Sequence, residues 1–159
     1  MSNWRDQLNL MKFNQFIDLF SSHSSPKSTE LIGVYRGAFV GPSWLRILAG
    51  PALYITGLSG WWGKRFHADG GAFNLVLRDE ELADRFPMQL IETVSALDGK
   101  PVLALHYDPG NPFPWTFIVD ELRQLGTHAY LGMTYVNKGA LRKLAFPFLL
   151  EYKEQDNGL

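Results

Sequence analysis

Three short clusters hold the side chains best suited to chemistry: Trp61-Trp62-Gly63-Lys64-Arg65-Phe66, His106-Tyr107-Asp108, and Asp120 with Arg123. On a strand, adjacent side chains point to opposite faces, so one of the two indoles enters an interior while the other stays outside. Lys64 and Arg65 divide in the same way. An inward Lys64 can neutralise a ligand carboxylate or phosphate, an outward one is merely solvated, and interior lysines are rare without a partner. Carboxylates near strand ends, here Asp108 and Asp120, suit acid–base work or the holding of an arginine. Their plainer use is an ion pair or loop cap that steadies the connection 109–114. His23, His67, His106 and His128 show no metal-ligand spacing, and the chain has no H-E-x-x-H, phosphate loop, dinucleotide fingerprint or nucleophile elbow. With no cysteine, disulfides and thiolate chemistry are excluded. No metal and no cofactor is expected.

The elements that must position these residues are mostly strands. Residues 31–40 form a β-type run before the turn signal Gly41-Pro42, and its Gly33-x-Tyr35-x-Gly37 reads as a glycine-relieved bend with Tyr35 in the core. Residues 64–67 and 72–78 pair around Asp69-Gly70-Gly71, and 79–84 is a charged connection or one helical turn. Residues 88–97 and 102–107 flank Asp98-Gly99, which suits a type I′ hairpin. Strands follow at 115–122, 129–136 and 146–153, the last with Phe146, Phe148, Leu150 and Tyr152 on one face. About eight strands in meander order, with no long crossover helix, predict a mainly β fold. The expected form is a small antiparallel up-and-down barrel, which removes the exposed edges; a sandwich is the alternative.

Two helical segments accompany the strands. Residues 2–20 carry Leu10, Phe13, Ile17 and Phe20 on one face, capped by Ser2 or Asn3, and end at the serine run before Pro26. The stretch 44–62 has Arg46 as its only charge and is broken by Gly50, Pro51, Gly57 and Gly60. It is too interrupted for a membrane span and reads as an apolar helical insertion over 43–59, a flap or a contact surface. One domain is expected over 1–159, with the helix and linker at 1–25 and the barrel at 31–153.

Composition narrows the function classes. A hydrophobic content of 46% with 14% aromatics supplies a core and argues against disorder. A net charge of −1, from 15 basic and 16 acidic residues, lacks the basic excess of a phosphate-tracking protein, so no nucleic-acid partner is expected. The N-terminus has no signal-peptide pattern, which makes the cytoplasm the default location.

In order along the chain, Pro26, the run from Leu31 to Gly37, Trp61-Trp62-Gly63-Lys64-x-Phe66, Tyr107-Asp108, Asp120-x-x-Arg123, Leu131-Gly132-Met133 and the final Phe146 strand resemble a family of small, mostly bacterial proteins of unknown function. That family is known by a G-x-W-x-G motif; Tyr35 stands where it has Trp, and the segment 41–60 is more apolar than the family's linker. The resemblance implies a lipocalin-like or fatty-acid-binding-protein-like barrel that binds a small hydrophobic or amphipathic ligand, a fatty acid or lipid. Candidate binding residues are Tyr35, Trp62, Lys64, Phe66, Leu105, Tyr107, Asp120, Arg123, Met133, Tyr135 and Phe148, with Leu150 in the lining and Arg36 at the rim; otherwise these side chains fill a solid barrel. Two other functions stay open. The insertion 44–58 can serve a peripheral membrane contact or a homodimer, and Tyr107, Asp108 and Asp120, with His106, can serve an enzyme.

Overall fold

Apolar residues recur along the strand segments between residues 33 and 152, and several of these segments bury both of their faces. A computed structural model describes residues 3–154. Its strands are β1 (Gly33–Phe39), β2 (Trp61–Phe66), β3 (Gly71–Arg78), β4 (Glu81–Val94), β5 (Pro101–Tyr107), β6 (Ile118–Gly126), β7 (Ala129–Val136) and β8 (Phe146–Tyr152). Each pairs antiparallel with the next, and β8 returns to β1 with Phe148 opposite Phe39, closing an eight-stranded barrel. Closure satisfies every edge, which the alternative sandwich would not do. The insertion after the first strand is helix α3 (Ser43–Ile55). No helix among the described residues is long and apolar enough to cross a membrane.

The N-terminal segment forms two short helices rather than one, α1 (Trp4–Asn9) and α2 (Gln15–Ser21). Asn9, the last residue of α1, accepts the Gly41 N–H with its side chain, and the Gln15 side chain caps Lys12 N–H. The break turns Leu10 outward, 88% exposed, and buries Leu8 and Phe16, while Phe20 is buried as expected. Ser2, one of two expected caps, lies outside the described residues; Asn3 accepts from Asp6 N–H.

Two turns also differ from the sequence reading. Arg78 pairs with Glu81, so Asp79 and Glu80, with φ of 49° and 66°, form a two-residue reversal with the positive φ of a type I′ turn. The 79–84 segment is therefore a hairpin tip running straight into β4. At Asp98-Gly99 the last strand pair is Val94 with Pro101, and only Gly99 there has positive φ. The longer loop frees the Asp98 carboxylate to take Arg123, a tertiary demand that a tight turn could not meet.

Apolar packing occupies both faces of the sheet. Inside, Tyr35, Phe66 and Tyr130 form an aromatic plug, with ring centroids 5.3 Å and 5.7 Å from Tyr35. Outside, α1 and α2 lay Leu8, Phe16 and Phe20 on Val102, Ala104, Leu131 and Leu149. Arg123 locks this outer layer: it donates to Phe20 O, to Pro101 O and in bidentate fashion to Asp98, while its guanidinium sits 4.3 Å over the Phe20 ring. Arg123 holds the Asp98 carboxyl well below the usual carboxylate range.

Two glycines admit rings that a side chain would exclude. A Cβ on Gly37 would lie 2.5 Å from the Trp61 ring, and one on Gly132 would lie 2.1 Å from Phe148. Gly132→Ala should therefore destabilise by about 1–3 kcal/mol through overpacking, whereas Gly110→Ala, facing open space, should stay within about 0.5 kcal/mol; urea denaturation measures both. Because the folded-state pKa of Asp98 is lowered, its contribution is complete above the unfolded value of about 3.9 and drains away as pH falls below it. The stability gap between the wild type and Asp98→Asn should be flat from pH 6 to 8 and shrink below about pH 4.

Candidate functional site

Strict alternation would put Trp62 on the same face as Lys64 and Phe66. A register shift between Trp61 and Gly63 changes that parity. Gly63 makes it feasible, because a Cβ there would collide with Tyr35 O. Trp61 consequently enters the barrel beside Lys64, and Trp62 stays outside, where Arg36 lies 4.9 Å over its ring and donates to its carbonyl.

Lys64 is 2% exposed and its Nζ lies 2.8 Å from Asp120 Oδ2. The two residues come from β2 and β6, on opposite sides of the eight-membered ring of strands, so the ion pair crosses the barrel interior. Desolvating two charges is costly unless further hydrogen bonds complete the pair. Asn74, opposite Lys64 on β3, provides them. Its Oδ1 accepts from Lys64 Nζ at 2.7 Å and from Trp61 Nε1 at 3.2 Å, and its Nδ2 donates to the Tyr107 hydroxyl at 2.7 Å. Tyr107 and Asp120 line the same cavity. Burial first, and then the Asp120 charge, push the Tyr107 phenol well above its ordinary value, which keeps it protonated. Phe148, Trp61 and Tyr107 present ring faces to the ammonium at 5.5–5.9 Å.

This polar cluster forms the floor of a cavity of about 230 Å³. Phe39, Trp61, Trp115, Ile118, Phe146 and Phe148 make its walls, and α3 roofs it with Leu48, Ala49, Ala52, Leu53 and Thr56. The lid is pinned at its C-terminal end, where Trp115 Nε1 donates to Thr56 O at 2.7 Å. Phe86 stacks on Trp115 with centroids 5.1 Å apart. The barrel is thus filled at one end by the Tyr35 plug and hollow at the other under α3.

Of the residues singled out from sequence, Lys64, Tyr107, Asp120 and Phe148 meet at this cavity. Tyr35, Phe66, Leu105 and Leu150 lie inside the barrel but in its filled core. Arg123 and Met133 lie on the outer layer, Arg123 in the Asp98 clamp. Tyr135 borders the cavity, but its ring belongs to the outer layer, where its hydroxyl donates to the buried Glu121. His106 is opposite Val119, facing away from Tyr107. Asp108 follows β5 in the loop, with its N–H donating to Pro87 O. Met133 instead lines a second depression of about 500 Å³, outside the barrel between α2 and residues 139–145, which has no buried polar cluster. Sequence reasoning missed Trp61, Asn74, Phe39 and Trp115. Gly63, directly after a Trp pair, was the available signal for the shift; nothing local marks Asn74, whose partners come from β2 and β5.

No family model matches the chain, and no curated protein is similar to it. Among solved structures, the chain is similar to a protein from Thermomonospora curvata, with a TM-score of 0.69 and 19% identity, covering 90% of this chain and 88% of that one. At that identity the likeness is one of fold alone.

The ion pair offers a direct stability test. Lys64→Met or Asp120→Asn alone should each cost about 3–5 kcal/mol by stranding a buried partner. Together they should cost clearly less than the sum, with a coupling of about 1–3 kcal/mol in a double-mutant cycle.

Proposed function

We propose that the barrel binds a compact, mainly apolar ligand whose polar end is uncharged. The observation that carries this is the composition of the cavity: aromatic and aliphatic walls over a polar floor whose charges already cancel. Transfer of apolar ligand surface from water supplies the attraction, about 25 cal/mol per Å². A volume of about 230 Å³ exceeds the ~150 Å³ that accommodates benzene and suits roughly ten non-hydrogen atoms. A medium-chain alcohol, aldehyde or ester, or a single-ring aromatic, meets that limit; a long-chain fatty acid does not.

The charge state of the head group follows from the floor. An inward Lys64 could pair a ligand carboxylate or phosphate, but Asp120 already occupies it at 2.8 Å. A carboxylate would bring a second anion beside Asp120 in a low-dielectric space, where like charges repel strongly. A hydroxyl or carbonyl can hydrogen-bond at the floor without that cost. An enzyme built on Tyr107 and Asp120 is less well supported, because the Tyr107 phenol is held protonated and every buried side-chain polar atom among the described residues has a partner.

Calorimetric titration with 1-octanol and octanoate at pH 7 tests the proposal. The alcohol should bind in the micromolar range, in line with the efficiency of very small ligands, with octanoate at least about tenfold weaker. Asp120→Asn should narrow or reverse that preference by releasing Lys64, and Ala52→Trp should abolish binding by filling the cavity. Equal affinity for both ligands in the wild type would remove the uncharged-head assignment, and no binding of any small apolar compound would remove the binding function itself.

A further inference from the structure

The outer side of the α3 lid is the reverse of what a water-facing helix normally presents. Ile47, Tyr54 and Ile55 are 71%, 75% and 81% exposed, and Trp44 is 53% exposed. A solvent-facing stripe is ordinarily polar or charged, yet Arg46 is the only charged residue of α3. Scattered exposed apolar residues need no explanation, but a concentration of them does. It continues around the same end of the barrel: Leu141 and Leu144, in the connection from β7 to β8, are 49% and 55% exposed. Phe146, at the end of that connection, borders the same cavity as Leu48.

The charges on this side have one sign. Residues 137–146 include Lys138, Arg142 and Lys143 and no acid, and residues 41–60 include Arg46 and no acid. Among the described residues none of these four cations is in an ion pair. Asp79, Glu80 and Glu81, at the β3–β4 tip, lie across the ring of strands from β7 and β8, and half-buried Asp108 follows β5 at the same end. A chain with a net charge of −1 therefore presents a face that is both apolar and basic.

We propose that this face docks on an anionic lipid surface, with α3 lying in the interface and Arg46, Lys138, Arg142 and Lys143 against the headgroups. Lipid meets both properties together: acyl chains take Ile47, Tyr54 and Ile55, and anionic headgroups attract the basic rim. A second copy in a two-fold dimer fits less well, since it would set the same cations against each other. The docking is independent of the cavity ligand, although it places the cavity's lid in contact with the bilayer.

Co-sedimentation of the full chain with phosphatidylcholine vesicles, with and without 30% phosphatidylglycerol, tests this directly. Partitioning should rise about tenfold or more with the anionic lipid and fall at high salt. Lys138→Gln, Arg142→Gln and Lys143→Gln combined should erase the anionic preference. Ile47→Ser with Ile55→Ser should weaken binding to both vesicle types; these side chains are exposed, so an unchanged thermal midpoint separates lost docking from lost folding. Brominated lipid should quench the wild type more than Trp44→Phe, placing α3 in the interface. Failure to bind either vesicle, or binding indifferent to lipid charge and to the triple variant, overturns the proposal. So does a dimer, seen by light scattering, that the Ile47→Ser, Ile55→Ser chain cannot form.

Discussion

A buried lysine and a buried aspartate facing each other across a closed barrel constrain what the rest of the interior can be. Lys64 and Asp120 are held by strands on opposite walls, and neither charge survives out of water unless its remaining valences are met. That requirement explains Asn74 as the shared acceptor of Lys64 and Trp61 and the donor to Tyr107, and the aromatic faces around the ammonium. It also explains why the barrel divides into two compartments. Below the pair, Tyr35, Phe66 and Tyr130 pack solidly; above it, the polar floor supports a cavity with apolar walls.

The cavity takes its character from neutralised charge and from its roof. An unpaired Lys64 would have made an anion site. Paired, it makes a floor that offers hydrogen bonding without net charge. The α3 roof supplies apolar surface on its inner side and is tied down through Trp115 and Thr56 at one end. Its bulky outer residues face away from the barrel, so the same helix joins the cavity to whatever surface lies beyond it.

A second charged assembly does purely structural work. Arg123 and Asp98 bind the N-terminal helices to the barrel through Phe20 O and the 95–100 loop. Beside them, Glu121 gathers Ser95, Ala96 N–H and Tyr135. Residues 120 to 123 thus alternate between the two jobs, Asp120 into the cavity, Glu121 and Arg123 into the helix-covered outer face. Covering that face with α1 and α2 is what lets such polar residues be buried with partners on the outside of a barrel.

The order of strands, the apolar insertion and the closed mainly β architecture were legible along the chain, because alternation, turn residues and the absence of crossover helices are local properties. Lys64, Tyr107, Asp120 and Phe148 were also legible as candidates, although their meeting in one cavity was not, because they come from four different strands. What the tertiary structure decided lies in parity and partners. One register shift at Gly63 exchanged Trp61 for Trp62; the loop holding Asp98 gave up a tight turn for an ion pair; helices α1 and α2 turned Arg123, Met133 and Tyr135 into members of an outer core. A strand's sequence states that it has two faces, but which face is the interior, and which distant charge completes a buried one, depends on closure of the whole sheet and on the high cost of leaving any buried charge alone.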